Sequence, residues 1–179
     1  HDIAFAPCVP STPAPTVDVQ NPVCILGGEE DGKAFITDYN PSMVYLFTPS
    51  GPSVNSSGEI TGYVSGQNYT VVADNGTCTS ESASFTVFSW DDFDCDGDGV
   101  TNGQEILDET DPYDLCDYDD HHQDNPSQTW EDSDCDGDGV SNGQELLDGT
   151  HPLDICSFLL GSQQTPSQAW LDGDCDGDG

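Results

Sequence analysis

Residues 94–105 read DCDGDGVTNGQE, and nearly the same stretch returns at residues 134–145 as DCDGDGVSNGQE. It begins a third time, as DCDGDG, at residues 174–179. In each copy a carboxylate occupies every second position and a glycine follows the third carboxylate; a glutamate closes the two complete copies. Three carboxylates this close in the chain repel one another unless a cation neutralises them. The pattern therefore indicates a cation-binding loop rather than a solvated acidic run.

The loops belong to a longer repeat with a period of forty residues. The units are residues 90–129 and 130–169, with a truncated third at 170–179. Each complete unit reads as an acidic loop, a short helix, a turn, a cysteine and a spacer that ends in PSQ before the next tryptophan. We expect that helix to be too short to stand alone, and we expect no helix before the loop. The tryptophans that open the units are predicted to be packing anchors between them.

Calcium is the ion that fits the loop. It takes six to eight oxygen ligands in a flexible shell, whereas Mg²⁺ needs stricter geometry and keeps its waters. A transition metal would favour imidazole or thiolate ligands. In a twelve-residue calcium loop, positions 1, 3 and 5 give side-chain oxygens, position 7 a backbone carbonyl, position 9 a ligand often reached through water, and position 12 a bidentate glutamate. The predicted ligands are Asp94, Asp96, Asp98, Val100, Asn102 and Glu105 in the first loop, Asp134, Asp136, Asp138, Val140, Asn142 and Glu145 in the second, and Asp174, Asp176 and Asp178 in the third.

The two complete units resemble bacterial thrombospondin type 3 repeats. The signature DxDGDGxxxGxE…GTDP is met by DCDGDGVTNGQEILDETDP and by DCDGDGVSNGQELLDGTHP. The departures are Glu109, where the signature has glycine, and His151, where it has aspartate. Asp111, at the latter position of the first unit, is a candidate additional ligand. Asp114 and Asp154 occur in both units and either bind the ion or cap a turn.

Residues 16–89 have a different pattern. Runs rich in β-branched and aromatic residues, TVDVQ, KAFITDY, MVYLF, YTVVAD and ASFTVF, alternate with the turn sequences TPSGPS, VSGQN and DNGT. Short strands at this spacing without a helical segment predict a small β-sandwich. Residues 1–15 are predicted to be a Pro-rich, extended linker.

This segment also resembles a known repeat. The stretches PTVDVQNPVC, GKAFIT, YLFTPSG and GEITGYVSGQNYTVVADNGTCTSESASFTV are similar to the Ig-like repeats of giant surface adhesins of gliding Bacteroidetes, the SprB type. The resemblance implies a structural or adhesive module without catalytic residues. The expected fold class is therefore mainly β, with a small Ig-like β-sandwich followed by thrombospondin type 3-like units, each an acidic loop plus a short helix.

Eight cysteines without a Cys-x-x-Cys pair favour disulfides and an oxidising, extracellular compartment. Cys24 and Cys78 flank the strands of the first half, and we expect them to form a bridge. The other six allow two schemes. In one, each unit closes on itself, with Cys95–Cys116 and Cys135–Cys156. In the other, each spacer is closed, with Cys116–Cys135, Cys156–Cys175 and Cys8–Cys95; we favour it because it clamps adjacent units and pairs every cysteine.

Composition limits the function. The formal net charge is -34, and Lys33 is the only lysine or arginine, so the chain lacks the cations that nucleic acids and anionic membranes require. We also expect no membrane insertion, because no apolar run approaches membrane-spanning length. The adjacent His121 and His122 are expected to lie in a solvated loop. No Ser/His/Asp constellation appears, and we expect no enzymatic activity.

The interpretation is a structural segment, cut from a longer secreted chain and stiffened by calcium, of a cell-surface adhesin or filament. Its expected partners are neighbouring repeats of the same chain, with lateral self-association as a further contact; its surface ligand is unknown. One alternative is a glycan- or protein-binding module with the Ig-like domain as the recognition head. Another is an accessory part of a secreted calcium-dependent hydrolase.

Overall fold

The computed structural model describes residues 12–173 and residue 175. The predicted third-loop ligands Asp174, Asp176 and Asp178 lie outside the described residues, as do Cys8 and most of the predicted linker. Contacts divide the chain into two compact units, His1–Phe93 and Asp94–Gly179, and each is described by itself below. Two antiparallel sheets and a few short helices confirm that the fold is mainly β.

In its described residues, 12–93, the first unit contains seven strands in two antiparallel sheets. One sheet has the order β1-β2-β5-β4 and the other the order β3-β6-β7. The strands are β1 (Val17–Gln20), β2 (Lys33–Ile36), β3 (Val44–Thr48), β4 (Ser53–Val54), β5 (Glu59–Thr61), β6 (Asn68–Asp74) and β7 (Ala83–Thr86). Each of the five predicted runs overlaps one of them, within one residue at the end of β3 and at the start of β6.

The prediction missed β4 and β5, and it assigned Ser53 to a turn. These strands have only two and three residues, which is too short for an apolar–polar alternation to be visible. They exist because they pair with each other, Val54 opposite Ile60, while Ala34 of β2 pairs with the other side of β5. Strand pairing of this kind is a tertiary effect that a local pattern does not report.

The two sheets share one apolar core. Along β6 the buried side chains alternate with half-exposed ones, as a strand with one face on a core requires. The rings of Tyr69 and Phe85 stack with centroids 5.7 Å apart. The buried residues of this core are Ala34, Ile36, Ile60, Tyr69, Val71, Phe85 and Val87.

The described part of the second unit, residues 94–173 and 175, contains four short helices. These are α1 (Asn102–Asp108), α2 (Gln128–Glu131), α3 (Asn142–Asp148) and α4 (Gln168–Leu171). The helices α1 and α3 are the predicted ones. The expectation that no helix precedes the second loop is wrong, because α2 forms one turn there. Its cause is Ser127, an N-cap whose side chain accepts a hydrogen bond from the Trp130 N–H at 3.3 Å.

Each repeat has a small apolar core that the next repeat completes. Val100 from the first loop and Tyr118 from the turn after α1 are buried against Trp130. This tryptophan opens the next repeat and is fully buried. The Tyr118 and Trp130 rings meet edge to face at 5.8 Å, and Phe158 meets Trp170 in the same way at 5.5 Å. The predicted role of these two tryptophans as packing anchors between successive repeats is confirmed.

The structure closes the spacers with disulfides. Cys116 is bonded to Cys135 and Cys156 to Cys175, so these two pairs of the favoured scheme are confirmed and closure of each unit on itself is wrong. The other described cysteines, Cys24, Cys78 and Cys95, are also disulfide-bonded. The pairings Cys24–Cys78 and Cys8–Cys95 stay predictions. Within residues 12–173, no helix has the length and apolarity needed to cross a bilayer.

Candidate metal centres

The first acidic loop gathers three carboxylates at one point. Asp94, Asp96 and Asp98 each place one carboxylate oxygen within 4.8 Å of the others. Backbone N–H groups of the loop fix this arrangement. Gly97 N–H donates to Asp94 Oδ1 at 2.6 Å, and Gly99 N–H donates to Asp94 Oδ2 at 3.0 Å. Asp96 and Asp98 each accept only one such bond, on Oδ1.

The helix α1 brings a fourth carboxylate to this cluster. Glu105 lies in its first turn and is fully buried. Neither of its oxygens has a hydrogen-bond partner among the described residues, and neither has Oδ2 of Asp96 or of Asp98. Buried polar atoms of folded proteins are nearly always paired. Four unpaired, buried carboxylate oxygens therefore leave a site that suits a cation.

The pKa values show how costly this arrangement is without a cation. Burial, followed by the charges of Asp96 and Asp98, raises the pKa of Glu105 to about 8. Burial also raises the pKa of Asp98 to about 7 and that of Asp96 to about 6. Each shift has the direction expected when ionised carboxylates leave water and face one another. A bound divalent ion would offset both causes, because its charge attracts every carboxylate of the cluster.

The second loop repeats this geometry. Asp134, Asp136 and Asp138 each place one carboxylate oxygen within 4.8 Å of the others. Glu145 is fully buried, and both of its oxygens lack a hydrogen-bond partner within the described residues. Burial raises the pKa of Glu145 to about 8 and that of Asp136 to about 6. Two separate stretches of sequence thus form two acidic sites of equivalent geometry.

The asparagine at loop position 9 has a structural role in both repeats. Asn102 Oδ1 accepts the Cys95 N–H at 3.0 Å, and Asn142 Oδ1 accepts the Cys135 N–H at 3.0 Å. The Asn142 side chain also donates to the Trp130 carbonyl at 2.9 Å. These bonds tie the start of the helix to the start of the loop. Coordination of the ion by the two asparagines, directly or through water, stays a prediction, because an amide oxygen that accepts one hydrogen bond keeps a second lone pair.

The valine at loop position 7 buries its side chain in the core of the repeat. Val100 and Val140 are both about fully buried. The Val100 N–H donates to Asp98 Oδ1 at 2.7 Å, and the Val140 N–H makes the same bond in the second loop. Coordination through their carbonyls stays a prediction.

The spacer after each helix folds back onto the loop. In the first repeat the Gln123 side chain donates to the Asp98 carbonyl at 2.6 Å, and the Ser127 N–H donates to the Gly97 carbonyl at 2.8 Å. Gln163 and Ser167 make the corresponding bonds in the second repeat, both at 2.7 Å. The sequence interpretation missed these glutamines. The available signal was that both occupy the same position of the period.

Glycines at the loop are needed for this contact as well as for the turn. Gly97 has φ +87°, a conformation that L side chains rarely adopt, and a Cβ there would lie 2.6 Å from Ser127 Oγ. At Gly137 a Cβ would lie 2.7 Å from Ser167 Oγ. A side chain at either glycine would therefore disturb both the turn and the close approach of the spacer.

The aspartate that follows the helix at the same position of both repeats caps a turn. Asp114 and Asp154 each accept the backbone N–H of the cysteine two residues further on, both at 3.1 Å. Asp111 accepts the Tyr113 N–H at 3.1 Å, and His151 Nδ1 accepts the corresponding N–H at 3.2 Å. Histidine thus replaces aspartate as a turn cap, and of the two alternatives for Asp114 and Asp154 the structure shows the cap.

The second unit is thus a pair of repeats in which an acidic loop is closed by a short helix and a disulfide-bonded spacer. Residues 94–114 and 134–155 match the family model of the bacterial TSP3 repeat. Repeats of this family are structural and bind calcium. No curated protein and no solved structure matches the chain. The family match leaves residues 1–93 outside it, and the resemblance to SprB-type adhesins stays a prediction.

Proposed function

We propose that the repeats bind calcium at the two complete loops and that calcium turns residues 94–173 into a stiff structural segment. The observation that carries the proposal is the set of buried, unpaired carboxylate oxygens that recurs in both loops. The proposed ligands are the side chains of Asp94, Asp96, Asp98, Asn102 and Glu105, with the Val100 carbonyl, and the equivalent set in the second repeat. Oxygen donors alone, without a thiolate or an imidazole, favour calcium over a transition metal.

Binding would supply the stability that the apolar core does not. The first repeat buries only three apolar side chains in its own cluster, one of them borrowed from the next repeat. At a calcium concentration about ten times the dissociation constant, an ion bound only by the folded state adds about 1.4 kcal/mol. The spacer disulfide contributes about 2 to 4 kcal/mol more. The ion and the disulfide together take the place of a larger core.

The first unit is proposed to be an Ig-like β-sandwich. Its seven strands are distributed as in constant-type Ig domains, where one sheet has the order A-B-E-D and the other C-F-G. In chain order, β1 to β7 correspond to A to G. The sequence resemblance to Ig-like adhesin repeats agrees with this order.

The wider context is also part of the proposal. Disulfides and the match to the bacterial TSP3 repeat support an extracellular location. We place the segment in a cell-surface adhesin or filament and assign it no catalytic activity. Its first partners are the neighbouring repeats of the same chain, and further copies of the chain associate with it laterally. The low content of cations speaks against a nucleic-acid partner.

Titration calorimetry tests the binding step. We expect at least two calcium ions to bind the chain, and Glu105→Gln to remove one of them while leaving the second repeat loaded. Absence of calcium binding at millimolar ion would refute the proposal. Loss of both ions from the single variant would instead show that the loops are not independent.

Limited proteolysis tests the stiffening. A serine protease that cleaves after glutamate is suitable, because chelators do not inactivate it and each unit contains glutamates. Removal of calcium should speed cleavage in residues 94–173 and leave residues 17–88 unchanged, since the first unit has its own core. Equal acceleration in both units would contradict the proposal.

A further inference from the structure

A second group of metal-ligating side chains lies on the first repeat, outside the predicted calcium ligands. Asp108, Asp119 and His122 each place one ligand atom within 4.8 Å of the others. Two separate segments supply them, because Asp108 ends α1 and the other two belong to the turn at residues 119–122. The sequence predicts a solvated loop here, and adjacent side chains such as His121 and His122 rarely converge on one ion. The structure uses only one of the two histidines in this group.

The carboxylate of Asp108 is held in place before any ion arrives. Its side chain is only 11% exposed. Gln104, one helical turn earlier, donates to Asp108 Oδ1 at 2.9 Å, which leaves Oδ2 directed at His122 Nδ1, 2.7 Å away. The turn is also fixed: the His122 N–H donates to the Asp119 carbonyl at 3.0 Å.

The second repeat shows which part of the group is specific to the first. Asp148 is held in the same way, by a bond of 2.8 Å from Gln144 to its Oδ1. Its Oδ2 is buried and has no hydrogen-bond partner within the described residues. At the positions of Asp119 and His122 the second repeat has Leu159 and Ser162. The first repeat thus differs from the second by a carboxylate and an imidazole beside an aspartate that both repeats contain.

We propose that Asp108, Asp119 and His122 bind one divalent transition metal ion of the zinc class. Imidazole nitrogen is a poor ligand for calcium and a good one for zinc. Zinc commonly takes three protein ligands and a water in a tetrahedron whose ligand atoms lie about 3.3 Å apart. Ligand atoms that already lie within 4.8 Å of one another reach that geometry by side-chain rotation. The ion replaces the proton shared between His122 and Asp108, and the two carboxylates balance its charge.

The neighbouring group of Asp119, Asp120 and His121 serves as a comparison. Its ligand atoms also lie within 4.8 Å of one another. However, it consists of three consecutive residues, and the His121 side chain is 84% exposed. The contact from outside the turn is that of the half-exposed His151 with Asp120 Oδ2, at 3.1 Å, and it leaves His121 unheld, so ordering this group around an ion costs more side-chain entropy. We therefore place the ion at His122 and use His121 as the matched control.

The test is zinc titration of the full chain in excess calcium, which keeps the acidic loops filled. We expect one zinc ion whose binding His122→Ser weakens by at least about tenfold, while His121→Ser binds as the unchanged chain does. Cobalt substitution gives a second readout, because the His122 imidazole contributes to the visible absorption of the bound ion. An unchanged fluorescence spectrum of the buried Trp130 in the His122→Ser chain shows that the repeat is still folded.

The second repeat provides a gain-of-function test. Leu159→Asp together with Ser162→His rebuilds the group around Asp148, and we expect the double variant to bind one more zinc ion than the unchanged chain. The inference is overturned if His122→Ser and the unchanged chain bind zinc equally, or if His121→Ser causes the same loss as His122→Ser. It does not depend on calcium binding by the loops.

Discussion

Replacing Glu105 by glutamine should have opposite effects with and without calcium. Both oxygens of the buried glutamate lack a hydrogen-bond partner within the described part of the chain, and its pKa is raised from 4.5 to about 8. At pH 7 an unfolded glutamate is ionised, whereas the calcium-free folded chain holds this one protonated. Two and a half pH units separate pH 7 from 4.5, at about 1.4 kcal/mol per unit. Without calcium the folded repeat therefore loses about 3 kcal/mol that glutamine, the neutral isostere, would not lose.

The sign of the pH dependence follows from the same shift. Because the pKa in the folded chain lies above the ordinary value, the folded state binds the proton more tightly than the unfolded state does. The penalty is absent below pH 4.5 and grows as the pH rises toward 8. In a chelator, the advantage of Glu105→Gln should be about 3 kcal/mol at pH 7 and close to zero at pH 4.5. In saturating calcium the unchanged chain should be the more stable one, since the variant has lost a ligand.

Urea denaturation followed by Trp130 fluorescence measures this effect. Trp130 is buried in the core of the first repeat and can be made the only tryptophan by Trp90→Phe and Trp170→Phe. Glu109→Gln is the control, because it removes the same charge four residues away at an exposed position. If Glu105→Gln is no more stable than the unchanged chain in chelator at pH 7, the buried carboxylate is not the source of the instability.

Two further predictions concern the frame that holds the loops. Glu109 is the C-cap of α1 with φ +63°, and Gly149 is the C-cap of α3 with φ +73°. Glu109→Gly should therefore raise the free energy of unfolding of the first repeat by about 1 kcal/mol, and Gly149→Glu should lower that of the second by a similar amount. Thermal melts in calcium that show the reverse order would contradict this. Removing the first spacer bridge by Cys116→Ser with Cys135→Ser should cost about 2 to 4 kcal/mol, and an unchanged urea midpoint of Trp130 fluorescence would show that the bridge does not stabilise the repeat.

The sequence was sufficient for what is local and periodic. The acidic loop and the short helix after it follow from side-chain chemistry at a fixed spacing, which a single repeat already displays. Five of the strands follow from the alternation of apolar and polar residues. The tryptophan anchors followed from their position in the period. The strands β4 and β5 did not, because their few residues are ordered by pairing with neighbours. The same holds for Gln123, whose partner is the backbone of a loop 25 residues earlier.

The loop position of Asn102 shows a different limit. The twelve-residue pattern assigns position 9 to the ion, and in the structure the amide oxygen accepts the Cys95 N–H. Because an amide oxygen can accept this bond and still face an ion or its water, spacing alone does not report the structural role. What decides is how the loop meets the helix that follows it, and that meeting is visible only in three dimensions.

The contacts between loop, spacer and next tryptophan imply that the start of the second repeat completes the first repeat. The spacer serine that bonds the Gly97 carbonyl also caps α2, and α2 carries Trp130 back into the core of the first repeat. An ion that orders the first loop therefore also fixes the start of the second repeat. Each repeat contacts its neighbour in sequence, so order should propagate along the chain as it does in other repeat proteins. For that reason, a loss of calcium at Glu105 should be felt by Trp130 before it is felt by Trp170.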